Sequence, residues 1–168
     1  MVEIELGKGN KAIIDDEDYS LTIGLLWRRR CNGYVGAYLR GRTRPSKNIS
    51  LHRLVMGVLG TRLHIDHISG DKLDNRKCNL RIATRAQNLA NQRIRNQNKS
   101  SMFKGVSFNK EKNKWASYIN QHGKRVRLGY HTSELTAALK YDSMAKQLFQ
   151  EYARPNFPEW PYGIIDGI

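Results

Sequence analysis

Residues 62–91, RLHIDHISGDKLDNRKCNLRIATRAQNLAN, decide the reading of this chain. Arg62 to His67 alternates like a brief strand, and Ser69-Gly70-Asp71 supplies a turn. The polar run Asp74-Asn75-Arg76-Lys77 makes an irregular loop before a second short strand at Leu80-Arg81-Ile82. Thr84 is placed to cap a helix that begins near Arg85 and carries Asn88. Strand, loop, strand and helix thus present an acid (Asp66), an imidazole (His67) and two amides (Asn79, Asn88). Phosphodiester hydrolysis at neutral pH needs an activated water, a cation to absorb charge on the phosphate, and stabilisation of the departing oxygen. These residue types can supply all three. Taken singly, such residues more often satisfy backbone groups than do chemistry, so the argument rests on their combination.

On the N-terminal side, Asn10 to about Ser50 reads as small antiparallel strands: Ala12-Ile13-Ile14 and Tyr34 to Leu39 are apolar, with turn signals at Asp15-Asp16, Gly41 and Pro45. Leu51, Leu54, Val55, Val58 and Leu59 follow at helical spacing, with Ser50 as N-cap and Gly60 as stop. On the C-terminal side, residues 92–101 (QRIRNQNKSS) are basic and almost without apolar groups, which predicts a linker. Gly105 to Phe108, Trp115 to Gln121 and Arg125 to Tyr130 then predict three strands turning at Lys112-Asn113 and His122-Gly123. A helix follows Thr132-Ser133 and runs to about Tyr152, with Leu135, Ala138, Leu139, Ala145, Leu148, Phe149 and Tyr152 as its apolar face. Alternation puts Trp115, Ser117, Ile119, Val126 and Leu128 on one face of the sheet. Lys114, Ala116, Tyr118, Asn120, Arg125, Arg127 and Gly129 fall on the other.

Composition narrows the partner. The formal net charge is +14, from 29 Lys and Arg against 15 Asp and Glu, too large for ordinary solubilising charge on a chain of 168 residues. A polyanion is expected, and the lack of any long apolar run or signal peptide makes nucleic acid a better fit than a membrane. The expected location is the cytosol. Cys31 and Cys78 lie far apart with no CxxC pairing, so neither a disulfide framework nor a cysteine-based zinc site is supported.

Leu51-His52-Arg53, Ile65-Asp66-His67, Asp74-Asn75-Arg76, Asn79-Leu80 and Arg85-Ala86-Gln87-Asn88 together resemble the HNH endonucleases, in particular the homing enzymes of phages and group I introns. The likeness covers roughly residues 10 to 90. It implies a ββα-metal module with His67 as the general base, Asp66 and Asn88 holding one divalent cation, and Asn79 fixing the loop and so orienting His67. Asn88 stands where the family name expects histidine. Oxygen ligands from Asp and Asn favour Mg²⁺, or Mn²⁺, over Zn²⁺. His64 reads as a surface or supporting residue and His52 as structural rather than catalytic, although the resemblance keeps it near the site, while His122 and His131 receive no role.

Residues 102–157 resemble the plant APETALA-two/ethylene-response-factor DNA-binding domain through Phe103-Lys104-Gly105-Val106, Lys114-Trp115-Ala116, Arg125 to Gly129, Ala137-Ala138, Tyr141-Asp142 and Asn156-Phe157. That likeness implies DNA contacts by Lys104, Ser107, Asn109, Tyr118, Asn120, Arg125 and Arg127. Ser107, Asn109, Asn120 and Arg127 depart from the plant pattern, so the plant target does not carry over.

The expectation is therefore an α+β protein: an HNH nuclease domain over residues 1–91, a basic linker over 92–101, a three-stranded antiparallel sheet packed on one helix over 102–157, and a tail over 158–168. The activity expected is that of a monomeric, metal-dependent homing endonuclease that nicks or cuts duplex DNA, with no protein partner implied. Two alternatives stand beside it. One is a non-catalytic DNA-binding regulator that keeps the fold as an anchor; the other, an RNA-binding protein, is disfavoured by a sheet suited to the major groove of B-form DNA.

Overall fold

A computed structural model describes residues 1–39, 47–93, 100–121 and 123–159. The turn expected around Gly41 and Pro45, most of the linker, His122 and the end of the tail lie outside these residues. The protein mixes helix and sheet, and the chain divides into two compact units, Met1–Thr84 and Arg85–Ile168.

The first unit opens with a hairpin of β1 (Val2–Glu5) and β2 (Lys11–Ile14), in which Ile4, Ala12 and Ile14 are buried. A 3-10 turn, Asp16–Thr22, leads to a three-stranded antiparallel sheet of β3 (Trp27–Arg29), β4 (Val35–Leu39) and β5 (Lys47–Ser50). The helix that follows, α1, covers only Leu51–Val55, whereas the spacing predicted apolar turns as far as Leu59. It ends early because Gly57 adopts φ 66, a left-handed conformation that breaks the helical ladder. The Arg53 guanidinium then gathers the loop, donating to the carbonyl oxygens of Val58, Thr61 and Leu63 at 2.8, 2.7 and 2.6 Å. A second hairpin, β6 (His64–His67) and β7 (Leu80–Ala83), is antiparallel in the register Asp66 opposite Arg81 and His67 opposite Leu80. Ile65 and Leu80 anchor it in a core shared with Ile14, Trp27, Val35, Leu51 and Val55.

The second unit begins with α2 (Arg85–Asn91) and contains an antiparallel sheet in the order β10-β9-β8, made of β8 (Val106–Asn109), β9 (Lys114–Gln121) and β10 (Lys124–His131). The helix α3 (Glu134–Phe149) packs on it, and the Ser133 side chain accepts from the Leu135 N–H as its N-cap. Ala137, Ala138, Tyr141 and Ala145 are its buried residues together with Asp142, while Leu135, expected on the apolar face, is exposed. Leu135 sits in the first turn and turns outward; the small residues let the helix lie close to the sheet.

Tight packing shows best at Gly105. Its φ is 75, and a β-carbon there would lie 2.0 Å from Cδ2 of Tyr141, so only glycine fits. Fully buried Asp142 completes the joint: its Oδ1 accepts from the backbone N–H and side-chain amide of Asn156, both at 2.8 Å, and its Oδ2 accepts from the Phe157 N–H at 2.8 Å. Asn156 in turn exchanges hydrogen bonds with the backbone of Lys104.

The strict alternation expected along β10 is interrupted by a bulge between Arg127 and Gly129. Arg127 pairs with Tyr118 and Gly129 with Ser117, so Gly129 turns to the α3 side and Tyr130, opposite Ala116, to the other. Gly129 holds φ 149, outside the range of ordinary side chains, and this permits the extra residue. Leu128 packs with Ile119 and Tyr141 on the α3 side, whereas Val126, nearer the turn, is exposed.

Candidate active site

Asp66 and His67 close β6, and both are buried, each 4% exposed. The hairpin register sets Arg81 opposite Asp66, and the guanidinium uses it: Nε and Nη2 donate to Asp66 Oδ2 at 2.9 and 2.8 Å. Arg81 carried no expectation from the sequence, because one cationic residue in a short strand reads as a solvated position.

Between the two strands the chain is stapled by its own polar side chains. Asn79 accepts from the Ser69 N–H at 2.9 Å through Oδ1 and donates from Nδ2 to the Asp74 carbonyl at 2.8 Å. It therefore joins the two ends of the loop. The side chain that meets the His67 ring is Asn75, whose Oδ1 lies 3.3 Å from Nε2. Asp71 Oδ1 accepts from the Leu73 N–H at 2.9 Å, and Asp74 is bound by Nε and Nη2 of Arg76 at 2.8 and 2.6 Å. The Arg76 contact keeps the Asp74 carboxyl below its ordinary range.

His52, which the sequence marked as structural, lies beside the site. Its ring meets that of His67 edge-on at a centroid distance of 5.4 Å, and Tyr34 is tilted against both at 5.1 and 5.7 Å. Burial, followed by repulsion from His67 whenever that ring is protonated and from the Arg53 and Arg30 guanidiniums, pushes the His52 imidazole down to about 3. Burial also lowers His67, although Asn75 and the carboxylates of Asp66 and Asp71 pull the other way. His52 is thus neutral at physiological pH and His67 is shifted toward the neutral form, the form in which an imidazole can accept a proton. Tyr34 is raised by burial and by Asp66. The signal for His52 was present in its position one residue after Leu51, which has no exposed surface, but an imidazole among apolar neighbours usually marks core.

Among the described residues no three His, Cys, Asp or Glu side chains converge as a ready-made metal cage. A closed tetrahedral zinc site does not fit this donor set. A hard cation does, because Mg²⁺ is commonly held by one or two carboxylates and completes its shell with water and phosphate oxygens. Asp66 supplies such a carboxylate. Asn88 is half-buried on α2, in the second unit.

In the second unit the strand register gathers Ser107, Asn109, Tyr118, Asn120, Arg125 and Arg127 on the sheet face opposite α3, together with Lys114 and Tyr130. The Arg125 guanidinium stacks on Tyr118 at 3.3 Å from the ring centroid, and Arg127 stands over Tyr130 at 5.0 Å. Lys104 behaves differently. Its ammonium donates to the carbonyl oxygens of Ala90 and Gln92, and burial, with Arg154 nearby, lowers it to about 8. Tyr130 was missed by alternation, although a glycine inside a strand pattern is a signal for a bulge.

Comparison with known proteins finds relatives for this chain. The profile of the HNH endonuclease family matches residues 51–90. An uncharacterised HNH endonuclease of Acanthamoeba polyphaga mimivirus is 32% identical over 155 residues, spanning 89% of this chain and 76% of the relative. Protein 3.8 of Escherichia phage T7 is 31% identical over 81 residues, spanning 48% of this chain and 66% of the relative.

Proposed function

Since the chain belongs to the HNH endonuclease family, we propose that it is a homing-type DNA endonuclease that hydrolyses one phosphodiester bond with a divalent metal ion and His67 as general base. The observation that carries this reading is the buried His67 beside the Asp66 carboxylate on one strand end, where burial favours the neutral form of the ring. His67 accepts the proton of the attacking water. Asp66, with Asn88 as the amide the family resemblance adds, would hold Mg²⁺ or Mn²⁺, and such an ion would supply charge stabilisation at the scissile phosphate and the leaving oxygen. Asn79 keeps the loop closed beneath the base. Asp66 and Arg81 form a cross-strand ion pair, so the guanidinium holds the carboxylate in place.

The face bearing Ser107, Asn109, Tyr118, Asn120, Arg125 and Arg127 reads duplex DNA in the manner of the ethylene-response-factor domain, with arginine suited to guanine and asparagine to adenine. Lys104, bound to the carbonyl oxygens of Ala90 in α2 and of Gln92 just after it, steadies the base of that sheet. The protein acts as a cytosolic monomer, one strand cut per copy of the motif. No helix among the described residues is long and apolar enough to cross a membrane.

Cleavage of supercoiled plasmid carrying candidate target sequence tests the proposal, with Mg²⁺, with EDTA, and with His67→Ala beside the parent protein. Metal-dependent nicking that His67→Ala loses while still binding DNA is the expected result. Tight binding to the preferred site with no cut in either Mg²⁺ or Mn²⁺ would replace the nuclease by a DNA-binding regulator.

A further inference from the structure

We propose that Asn75 is the positioning residue of the base: its amide oxygen keeps the proton of His67 on Nε2 and leaves Nδ1 as the nitrogen that accepts from water. The inference rests on His67 being the base, and it gives a role to Asn75, which stands among the residues that carry the family resemblance but received no task from it.

The geometry determines which way the Asn75 amide points. Nδ2 donates to the carbonyl oxygens of Lys72 and Leu73 at 3.2 and 3.0 Å. Carbonyls only accept, so the NH₂ end must face them and Oδ1 must face the imidazole. A ring nitrogen 3.3 Å from an oxygen that only accepts has to carry the hydrogen. In a neutral imidazole the lone pair then sits on Nδ1. The contact is long for an N–H···O bond, as catalytic hydrogen bonds often are before substrate tightens them.

Asn75 is itself held from every side. It has no exposed surface, and its backbone N–H donates to the Ile13 carbonyl at 2.7 Å. Ile13 N–H donates to the Leu73 carbonyl at 2.8 Å, and Ile13 bridges Asp74 in parallel, so the loop runs against β2 like a short extra strand. Asn79 grips the neighbouring Asp74 carbonyl. On the ring, His52 and Tyr34 pack close enough to resist rotation of the imidazole. The amide therefore does two separable jobs: its nitrogen closes the loop, and its oxygen selects the tautomer.

The two ends of the amide can be tested apart. Asn75→Asp keeps an oxygen against Nε2 and loses both donations to the loop; Asn75→Leu loses everything. The readouts are the ring ¹⁵N chemical shifts of His67 and the nicking kinetics. The expected result is a protonated Nε2 and an unprotonated Nδ1 in the parent protein and in Asn75→Asp. In Asn75→Leu that pattern should be lost, because Nε2–H would be a buried donor without an acceptor. Asn75→Leu should also lower kcat about 10- to 100-fold with a smaller change in KM, as removal of a supporting hydrogen bond to an active-site histidine does in metal sites, and Asn75→Asp should restore most of it. Equal loss in both variants with unchanged ring shifts would mean Asn75 only closes the loop, and overturns the proposal. So would a parent protein protonated at Nδ1, a measurement that needs no variant to fold. Nicking that survives His67→Ala would overturn the choice of base and this role with it, whereas loss in His67→Ala with unaltered Asn75→Leu kinetics overturns this role alone.

Discussion

His52 and His67 share an unusual condition: two imidazoles stacked edge to face inside a protein, both shifted toward the neutral form by burial. For His52 this links directly to stability. Unfolded, the side chain binds a proton as pH falls below about 6.5; folded, it resists protonation down to about 3. Between those values the unfolded chain holds more protons, so acid favours unfolding, and stability rises with pH across the window. One such group contributes at most about 1.4 kcal/mol per pH unit. His52→Phe should therefore flatten the fall in denaturant midpoint between pH 6 and pH 4, roughly, relative to the parent protein, as unfolding curves at stepped pH would show. At this scale the sequence was partly legible. Asp66, His67 and Asn79 stand out because their types and order match a chemical task. Asn75 does not, because an asparagine between Asp74 and Arg76 reads as a turn residue, and only the direction of its amide reveals the contact to His67. Arg81 was hidden for another reason: its partner is set by strand register rather than by proximity in the chain.

Among the elements, the strands of the second unit and α3 followed from alternation and apolar spacing, and the short helix α1 did not follow to its end. Gly57 is the reason in α1, and Gly129 is the reason alternation failed in β10. In each case one residue with φ outside the common range overrides a periodic pattern that depends on uniform backbone. Gly105 shows how sharp such a dependence is. Gly105→Ala would combine a left-handed backbone with a clash against Tyr141, and should cost about 3 kcal/mol or more. Differential scanning calorimetry would register this as a lower melting temperature, and Tyr141→Ala introduced beside it should recover part of the clash while opening a cavity of its own.

For the whole molecule, the charge of +14 was the plainest signal in the sequence, and the structure adds where some of it stands. Arg125 and Arg127 are exposed on a sheet face with two tyrosines, each guanidinium over a ring. Stacking orders the side chains before any partner arrives, which lowers the entropy lost on binding. If this face meets duplex DNA, replacing both arginines with alanine weakens binding and lowers the steepness of log Kd against log salt by about 1 for each phosphate no longer neutralised. Fluorescence anisotropy across a salt series measures both effects. Weaker affinity with an unchanged salt slope would indicate that the arginines meet base edges rather than phosphates.

The attachment of the 73–75 loop to β2 has a consequence for how such enzymes are recognised and trimmed. The stretch that identifies the family, residues 51–90, contains every side chain of the chemical motif and omits the strand that holds Asn75 in place. A fragment cut to that stretch would still be identified as a nuclease, yet it would lack the backbone carbonyl of Ile13 on which the alignment of its histidine depends. The stretch that matches the family profile and the packing that holds its loop therefore have different borders here, and transplanting the proposed activity to another scaffold requires moving the N-terminal hairpin along with the motif.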